Sequence, residues 1–157
     1  MRLEYFQLID RVVDLNLADR KITCESTVPT ESTIFEGHFP GYPLMPGVLL
    51  IETMAQASGW LLVALNRCER MPFLAAVKEA KLRTFVKPGE RLSIDAHVKH
   101  EGSGYAVTEA AIKCNDKIVC DAAITLRVLE FPSADMAKRM REIAAGIGLC
   151  VEAPADG

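Results

Sequence analysis

The chain is poor in the residues that build metal centres and disulfide frameworks. Its five cysteines, Cys24, Cys68, Cys114, Cys120 and Cys150, are odd in number and form no C-x-x-C pair. Reduced thiols in a cytoplasmic setting fit that pattern better than a secreted, bridged scaffold. Histidine occurs three times, at His38, His97 and His100, with no H-E-x-x-H or other compact zinc spacing. No metal centre is therefore expected. The net charge is −3 and no basic stripe dominates, which argues against a nucleic-acid partner. The N-terminal segment breaks its apolar run with Glu4 and Gln7 and makes a poor signal peptide. The longest apolar stretch, Val48 to Leu65, is interrupted by Glu52, Gln56 and Gly59. It reads as a buried helix, not a membrane span.

What is present fits one globular domain. With 157 residues, half of them hydrophobic and a quarter charged, the chain can build one real core but not two comfortable ones. Residues 5 to 15 read as a short helix or an extended lead-in. Lys21 to Val28 alternates like a strand, Pro29 to Ile34 is loop-like, and Phe35 to Met45, with two glycines and two prolines, reads as irregular backbone. Pro46 suits a helix start. The helix that follows, about Gly47 to Asn66, is ~30 Å long at ~1.5 Å per residue and apolar all round, which predicts apolar surroundings on every side.

Beyond Pro72 the hydrophobic period becomes two. Phe73 to Val77 is a compact apolar run, and Ala80 to Val86 alternates loosely up to the turn Lys87-Pro88-Gly89-Glu90. Leu92, Ile94, Ala96 and Val98 then alternate with polar residues, as a strand with one wet face does. Gly102-Ser103-Gly104 and Asn115-Asp116 read as hairpin turns on either side of Tyr105 to Cys114, before a last strand through Ile118 to Leu126. Ser133 is placed to cap a short C-terminal helix ending near Gly146, and Ala153 to Gly157 are expected to be disordered. One long helix with a run of antiparallel strands implies an α+β class, a curved sheet wrapped around the helix. The boundaries are a main domain over 1–131 and a helical, partly disordered tail over 132–157.

The chemistry concentrates between residues 35 and 57. A Gly/Pro-rich loop carries His38, and the apolar helix after it carries one carboxylate, Glu52. Burying a carboxylate among aliphatic side chains costs several kcal/mol (about 3–5 when unpaired) unless it is paired or used. Histidine exchanges protons near neutral pH, and desolvation tends to raise a buried glutamate's pKa. Together they suit general acid–base catalysis, which contributes ~10²–10⁴-fold. The N–H groups of Gly47 and Val48 open the helix without intrahelical partners and point where an oxyanion can form. Gln56, one turn after Glu52, is spaced to orient that carboxylate. This set suits proton abstraction next to a carbonyl. His38 and Glu52 are not on one helical face, so they meet only if the loop folds back or if two subunits supply them.

The order Gly37-His38-Phe39-Pro40-Gly41, Pro43, Met45-Pro46-Gly47-Val48, Glu52, Ala55-Gln56 resembles the (3R)-3-hydroxyacyl-[acyl-carrier-protein] dehydratases of FabZ type. Tyr5 to Val12, Val86 to Glu90 and Asp116 to Ala122 extend the resemblance over about residues 5 to 130. It implies a hot-dog fold and dehydration of a (3R)-3-hydroxyacyl carrier-protein thioester to the trans-2-enoyl thioester in fatty acid elongation, with no cofactor. It also implies His38 and Glu52 as catalytic residues, and Gly47, Val48 and Gln56 around the substrate. The family's sites lie at a dimer interface, so a homodimer or a trimer of dimers is implied, with acyl carrier protein as partner. The basic residues Lys78, Lys81, Arg83 and Lys87 offer an acidic carrier protein a landing site.

Glu52, where related dehydratase–isomerases carry aspartate, favours plain dehydration. The chain departs from the family pattern at its N-terminus, at Tyr42 (where many members have a second histidine), at the bulky Trp60 and in the tail past Phe131. The tail resembles that of variants serving long-chain or lipid A acyl groups. A hot-dog thioesterase and a non-catalytic acyl-binding subunit are the competing readings. His97 and His100 are expected to face solvent, and Cys114 and Cys120 to pack as small apolar groups.

Overall fold

Alternating side chains build most of this molecule. The computed structural model describes residues 1–151, so the disorder expected for Ala153 to Gly157 lies outside the described residues. Six strands form one antiparallel sheet in the order β1-β2-β4-β5-β6-β3: β1 (Arg11–Asn16), β2 (Lys21–Thr27), β3 (Arg70–Leu82), β4 (Arg91–Gly102), β5 (Tyr105–Cys114) and β6 (Lys117–Glu130). Ile22 and Cys24 of β2, Leu92, Ile94 and Ala96 of β4, Ile112 of β5 and Ile124 of β6 are buried on one face. Their register pairs Cys24 with Ile94 and Ile94 with Ile112, so the apolar face is continuous across the central strands. Asn115 and Asp116 both have positive φ, 50° and 62°, which is the twist a two-residue hairpin between β5 and β6 requires.

The concave face holds α2 (Gly47–Leu65), which touches β2 to β6. By length and composition α2 is apolar enough to cross a membrane, with mean hydropathy 1.6, but here its apolar side chains form the core with the sheet. Ser58 and Thr108, both fully buried, share a hydroxyl–hydroxyl hydrogen bond of 2.7 Å that ties α2 to β5. The surroundings of α2 are not apolar on every side, contrary to expectation. Val48 is 71% exposed, and Ile51, Glu52 and Gln56 are only half-buried, because the sheet wraps one side of the helix and leaves this stripe uncovered.

Two further elements correct the sequence reading. Residues expected as loop and irregular backbone contain a short helix, α1 (Thr33–Gly37), whose start is capped by Ser32 Oγ accepting from the Ile34 N–H. The lead-in is a single 3-10 turn, Leu3–Tyr5, followed by β1. β3 is one strand of thirteen residues that runs through Pro72, with register shifts at 74–76 and 78–81, and it ends at Leu82 short of Val86. Proline is tolerated there because β3 is an edge strand, where a missing N–H leaves no ladder bond unmade. The tail folds as α3 (Ala134–Gly146), capped by Ser133 Oγ accepting from the Met136 N–H at 3.2 Å. The Val12 N–H donates to the Ile147 carbonyl at 2.7 Å, which fastens the end of α3 to β1.

Candidate active site

The loop that carries His38 is held at both ends. At its start the exposed Glu4 carboxylate accepts from the Ser32 hydroxyl at 2.6 Å, the Thr33 N–H at 3.0 Å and the Thr33 hydroxyl at 3.1 Å. The Ser32 hydroxyl, followed by backbone N–H groups, pulls the Glu4 carboxyl down to about 2. At its end the Met45 N–H donates to the Val86 carbonyl at 2.8 Å. Between them His38 closes α1 by donating its N–H to Ile34 at 3.0 Å, and its carbonyl accepts the Leu44 N–H at 2.9 Å. The Leu44 carbonyl in turn lies 3.0 Å from His38 Nδ1. A carbonyl only accepts, so Nδ1 carries the hydrogen and Nε2 of the neutral ring keeps a free lone pair. Phe39 stacks on the imidazole with ring centroids 4.1 Å apart.

Glu52 is held from within its own helix. Gln56 Nε2 donates to Glu52 Oε1 at 3.0 Å and to the Phe6 carbonyl at 2.7 Å. Gln56 Oε1 accepts the Leu8 N–H at 3.0 Å. One amide therefore orients the carboxylate and anchors the N-terminal segment beside it. Phe6, which ends the 3-10 turn of that segment, sits in the left-handed region at φ 52°.

Glu52 and Gln56 stand at one end of a cavity of about 620 Å³. Its floor is the stripe Glu52, Ala55, Gln56, Gly59, Trp60 and Val63 of α2. Pro72 and Leu74 of β3 and Leu126 of β6 form one wall, and Met140, Ile143 and Ile147 form another. The volume lies within the ~300–1,000 Å³ range of small-molecule sites, and the lining has their usual character, apolar with a few polar groups.

Gly47 and Val48 begin α2. Pro46 supplies no side-chain cap, and its carbonyl accepts the N–H groups of Leu49 and Leu50. Among the described hydrogen bonds none uses the N–H of Gly47 or Val48, as the first turn of a helix leads one to expect. A Cβ built on Gly47 would overlap Leu82 Cδ1. Within one chain the structure brings Glu52 to Gln56 and sets Gly47 beside Val48. It does not bring His38 to them: His38 is absent from the lining of the cavity, and no hydrogen bond joins it to Glu52 among the described residues.

Other titratable groups lie elsewhere. His97 is partly exposed on β4, on the face opposite buried Ala96 and Val98, as the alternation predicts; desolvation, then Lys99 and Lys21, push its pKa down. His100 is exposed and shares a 3.0 Å hydrogen bond with the Tyr105 hydroxyl. Burial raises the thiol of Cys24 to about 12 and of Cys120 to about 11, so both are inert at neutral pH. Among the described residues no cluster of three or more His, Cys, Asp or Glu is gathered that fits a metal ion.

The sequence profile of the FabA-like domain matches residues 2–123. A 3-hydroxyacyl-[acyl-carrier-protein] dehydratase FabZ of Levilactobacillus brevis is 36% identical over 121 residues, which cover 76% of this chain and 81% of that one. The chain belongs to the FabZ-type dehydratases of the FabA-like family. The FabZ of Fusobacterium nucleatum is 34% identical over 125 residues, 80% of this chain and 88% of its own. Among solved structures, a hypothetical thioesterase from Streptococcus pneumoniae TIGR4 with coenzyme A superposes with TM-score 0.61 at 17% identity, covering 78% and 88% of the two chains. The dehydratase heterocomplex ApeI:P from Xenorhabdus doucetiae gives TM-score 0.61 at 17% identity, covering 86% and 89%. At such identities the likeness concerns the fold, which is the hot-dog fold, a sheet curved around one long helix.

Two features of this FabZ-type chain go beyond the residues expected from its sequence. The hold of Leu44 on His38 passes through a backbone carbonyl, which leaves no trace in residue type. The wall made by Met140, Ile143 and Ile147 does leave one, the i, i+3, i+7 spacing of one helical face.

Proposed function

We propose that this protein dehydrates (3R)-3-hydroxyacyl-[acyl-carrier-protein] to the trans-2-enoyl thioester in fatty acid biosynthesis, as a cytoplasmic enzyme. The observation that carries this reading is Glu52, oriented by Gln56 at the head of an apolar cavity. The acyl tail occupies the apolar space while the polar head of the substrate remains at the carboxylate. His38 Nε2, with its lone pair free, removes the α proton. The N–H groups of Gly47 and Val48 bind the thioester oxygen as negative charge develops there. Protonated Glu52 delivers its proton to the β-hydroxyl; the Cβ–O bond breaks, Cα=Cβ forms, and water leaves. Solvent then carries the proton from His38 back to the carboxylate.

A homodimer completes the site, with His38 of one subunit facing Glu52 of the partner subunit. Its support is the uncovered surface of a single chain. β3 has one unpaired edge, and Val48, Leu82 and Phe85 leave large apolar areas in water beside it. Such an edge and patch pair readily with a second copy. Sedimentation separates the homodimer from a trimer of dimers, and an active monomer would contradict the shared site. Lys78, Lys81 and Lys87, all exposed, supply the basic surface for an acidic carrier protein; Arg83 is partly neutralised by Asp121 at 2.6 Å.

The test is incubation of the purified protein with 3-hydroxyacyl carrier-protein thioesters of increasing length, including the long acyl groups typical of lipid A. Absorbance of a conjugated enoyl thioester supports dehydration. Free thiol without enoyl product identifies a thioesterase, and silence at every length identifies a non-catalytic acyl-binding subunit.

A further inference from the structure

We infer that α3 is the end wall of the acyl site, with Met140, Ile143 and Ile147 setting how long an acyl chain this enzyme accepts; the inference rests on the dehydratase reading above. Residues 52, 55, 56, 59, 60 and 63 line the cavity from one stripe of α2. From Glu52 to Val63 that stripe runs ~16 Å at ~1.5 Å per residue. The candidate carboxylate stands at one end of the stripe. Beyond Gln56 the stripe is apolar, Gly59, Trp60 and Val63, as a hydrocarbon chain anchored at its thioester end requires.

Three observations point to α3 as the stop. First, α3 begins at Ala134, outside the residues 2–123 matched by the FabA-like profile, so the wall lies apart from the segment that carries the catalytic candidates. Second, α3 is fixed in place. The Ile147 carbonyl accepts from the Val12 N–H, Arg141 Nη1 donates to the Cys68 carbonyl at 3.4 Å, and Ala144 and Leu149 are fully buried. Ile143, the residue next to Ala144, stays 39% exposed and lines the cavity. Third, the middle of the stripe is kept open by Gly59. Glycine inside a helix costs ~1 kcal/mol relative to alanine. A methyl group there would meet only Pro72 Cγ, at 3.5 Å, an ordinary contact. Packing alone does not demand glycine at this position, whereas an unobstructed path for a chain does.

The cavity also holds a reporter. Trp60 is the only tryptophan in the chain and lines the cavity between Glu52 and α3. A fatty acid brominated near its methyl end therefore quenches Trp60 emission when its tail enters. The experiment uses the full-length protein and the variants Ile143→Ala, Ile143→Phe and Gly59→Leu, each checked for folding by circular dichroism. For each, kcat/KM is measured on 3-hydroxyoctanoyl- and 3-hydroxyhexadecanoyl-carrier-protein, and the brominated acid is titrated against Trp60 emission.

The long-to-short kcat/KM ratio is expected to fall at least about tenfold in Ile143→Phe and Gly59→Leu, ~1.4 kcal/mol of discrimination, and to rise in Ile143→Ala. The quenching midpoint is expected to weaken by a similar factor in Ile143→Phe. If Ile143→Phe does not fold, the alanine variant decides through its ratio. Dehydration with an unchanged ratio and unchanged quenching in folded variants overturns the role of α3 and leaves the dehydratase reading intact. Trp60 quenching that responds to Ile143, in a protein that dehydrates nothing, overturns the dehydratase reading and keeps the acyl wall.

Discussion

His38 and Leu44 exchange two hydrogen bonds, the Leu44 N–H to the His38 carbonyl at 2.9 Å and His38 Nδ1–H to the Leu44 carbonyl at 3.0 Å. The first closes the loop; the second fixes the tautomer, so that Nε2 is the free, basic nitrogen. His38→Ala is expected to lower kcat by ~10²–10⁴-fold in the enoyl-thioester absorbance assay. His38→Asn retains a donor for Leu44 but cannot relay protons. It should lose as much turnover while melting closer to the parent protein. Near-parental rates in either variant would remove His38 from the mechanism.

Gln56 serves three partners with one amide, and each loses something different when it is replaced. Gln56→Leu keeps the volume but leaves the Leu8 N–H and the Phe6 carbonyl without their partner. A lost partner at a partly buried group costs ~1–3 kcal/mol, readable as a lower denaturation midpoint in urea. Glu52 loses its orienting donor at the same time. The expected kinetic signature is a fall of about tenfold in kcat with little change in KM. A Gln56→Leu enzyme with parental kcat would reduce this residue to a structural anchor.

How far these contacts were visible beforehand depended on their range. Alternation in Leu92 to Val98 and the Asn115-Asp116 turn gave correct strands, since both signals lie within a few residues. Spacing alone paired Gln56 with Glu52. β3 was misread because Pro72 looks like a break until its strand is seen at the edge of the sheet. The half-exposed stripe of α2 was invisible for a different reason. Its residues are nearly as apolar as the buried ones, and only the curvature of the sheet decides which side of the helix is covered. α1 was missed because five residues carry too little periodicity to separate a helix from a turn.

Acid should loosen the hold of Glu4 on the start of the His38 loop. The Glu4 carboxyl, pulled down from 4.5 to about 2 by its bonds to Ser32 and Thr33, is ionised more readily in the folded state than in the unfolded one. A depressed folded value means the stabilisation is fully present above the unfolded pKa and is lost as pH falls through the folded one. Glu4→Gln should therefore lower Tm at pH 7, and the gap to the parent protein should close between about pH 4.5 and pH 2. Because Glu4 is fully exposed, added salt should narrow the gap as well. A Tm difference that persists unchanged below pH 2 would mean that the carboxylate's charge is not what holds the start of α1.

Gly47 separates a packing role from a chemical one. A methyl group there would overlap Leu82 Cδ1, but Leu82 is half exposed and its side-chain end is free to rotate. Gly47→Ala should accordingly fold, with Tm changed by less than ~4 °C, the shift that ~1 kcal/mol produces in a domain of this size. Its activity should still fall by ~10²–10³-fold, because the methyl group blocks approach to the N–H groups of Gly47 and Val48, and losing such donors costs about that much. The double variant Gly47→Ala with Leu82→Ala removes the overlap altogether. If the double variant stays inactive, the loss belongs to the blocked amides. Recovery of turnover in it would assign the whole effect to crowding against β3 and leave the helix start without a part in the reaction.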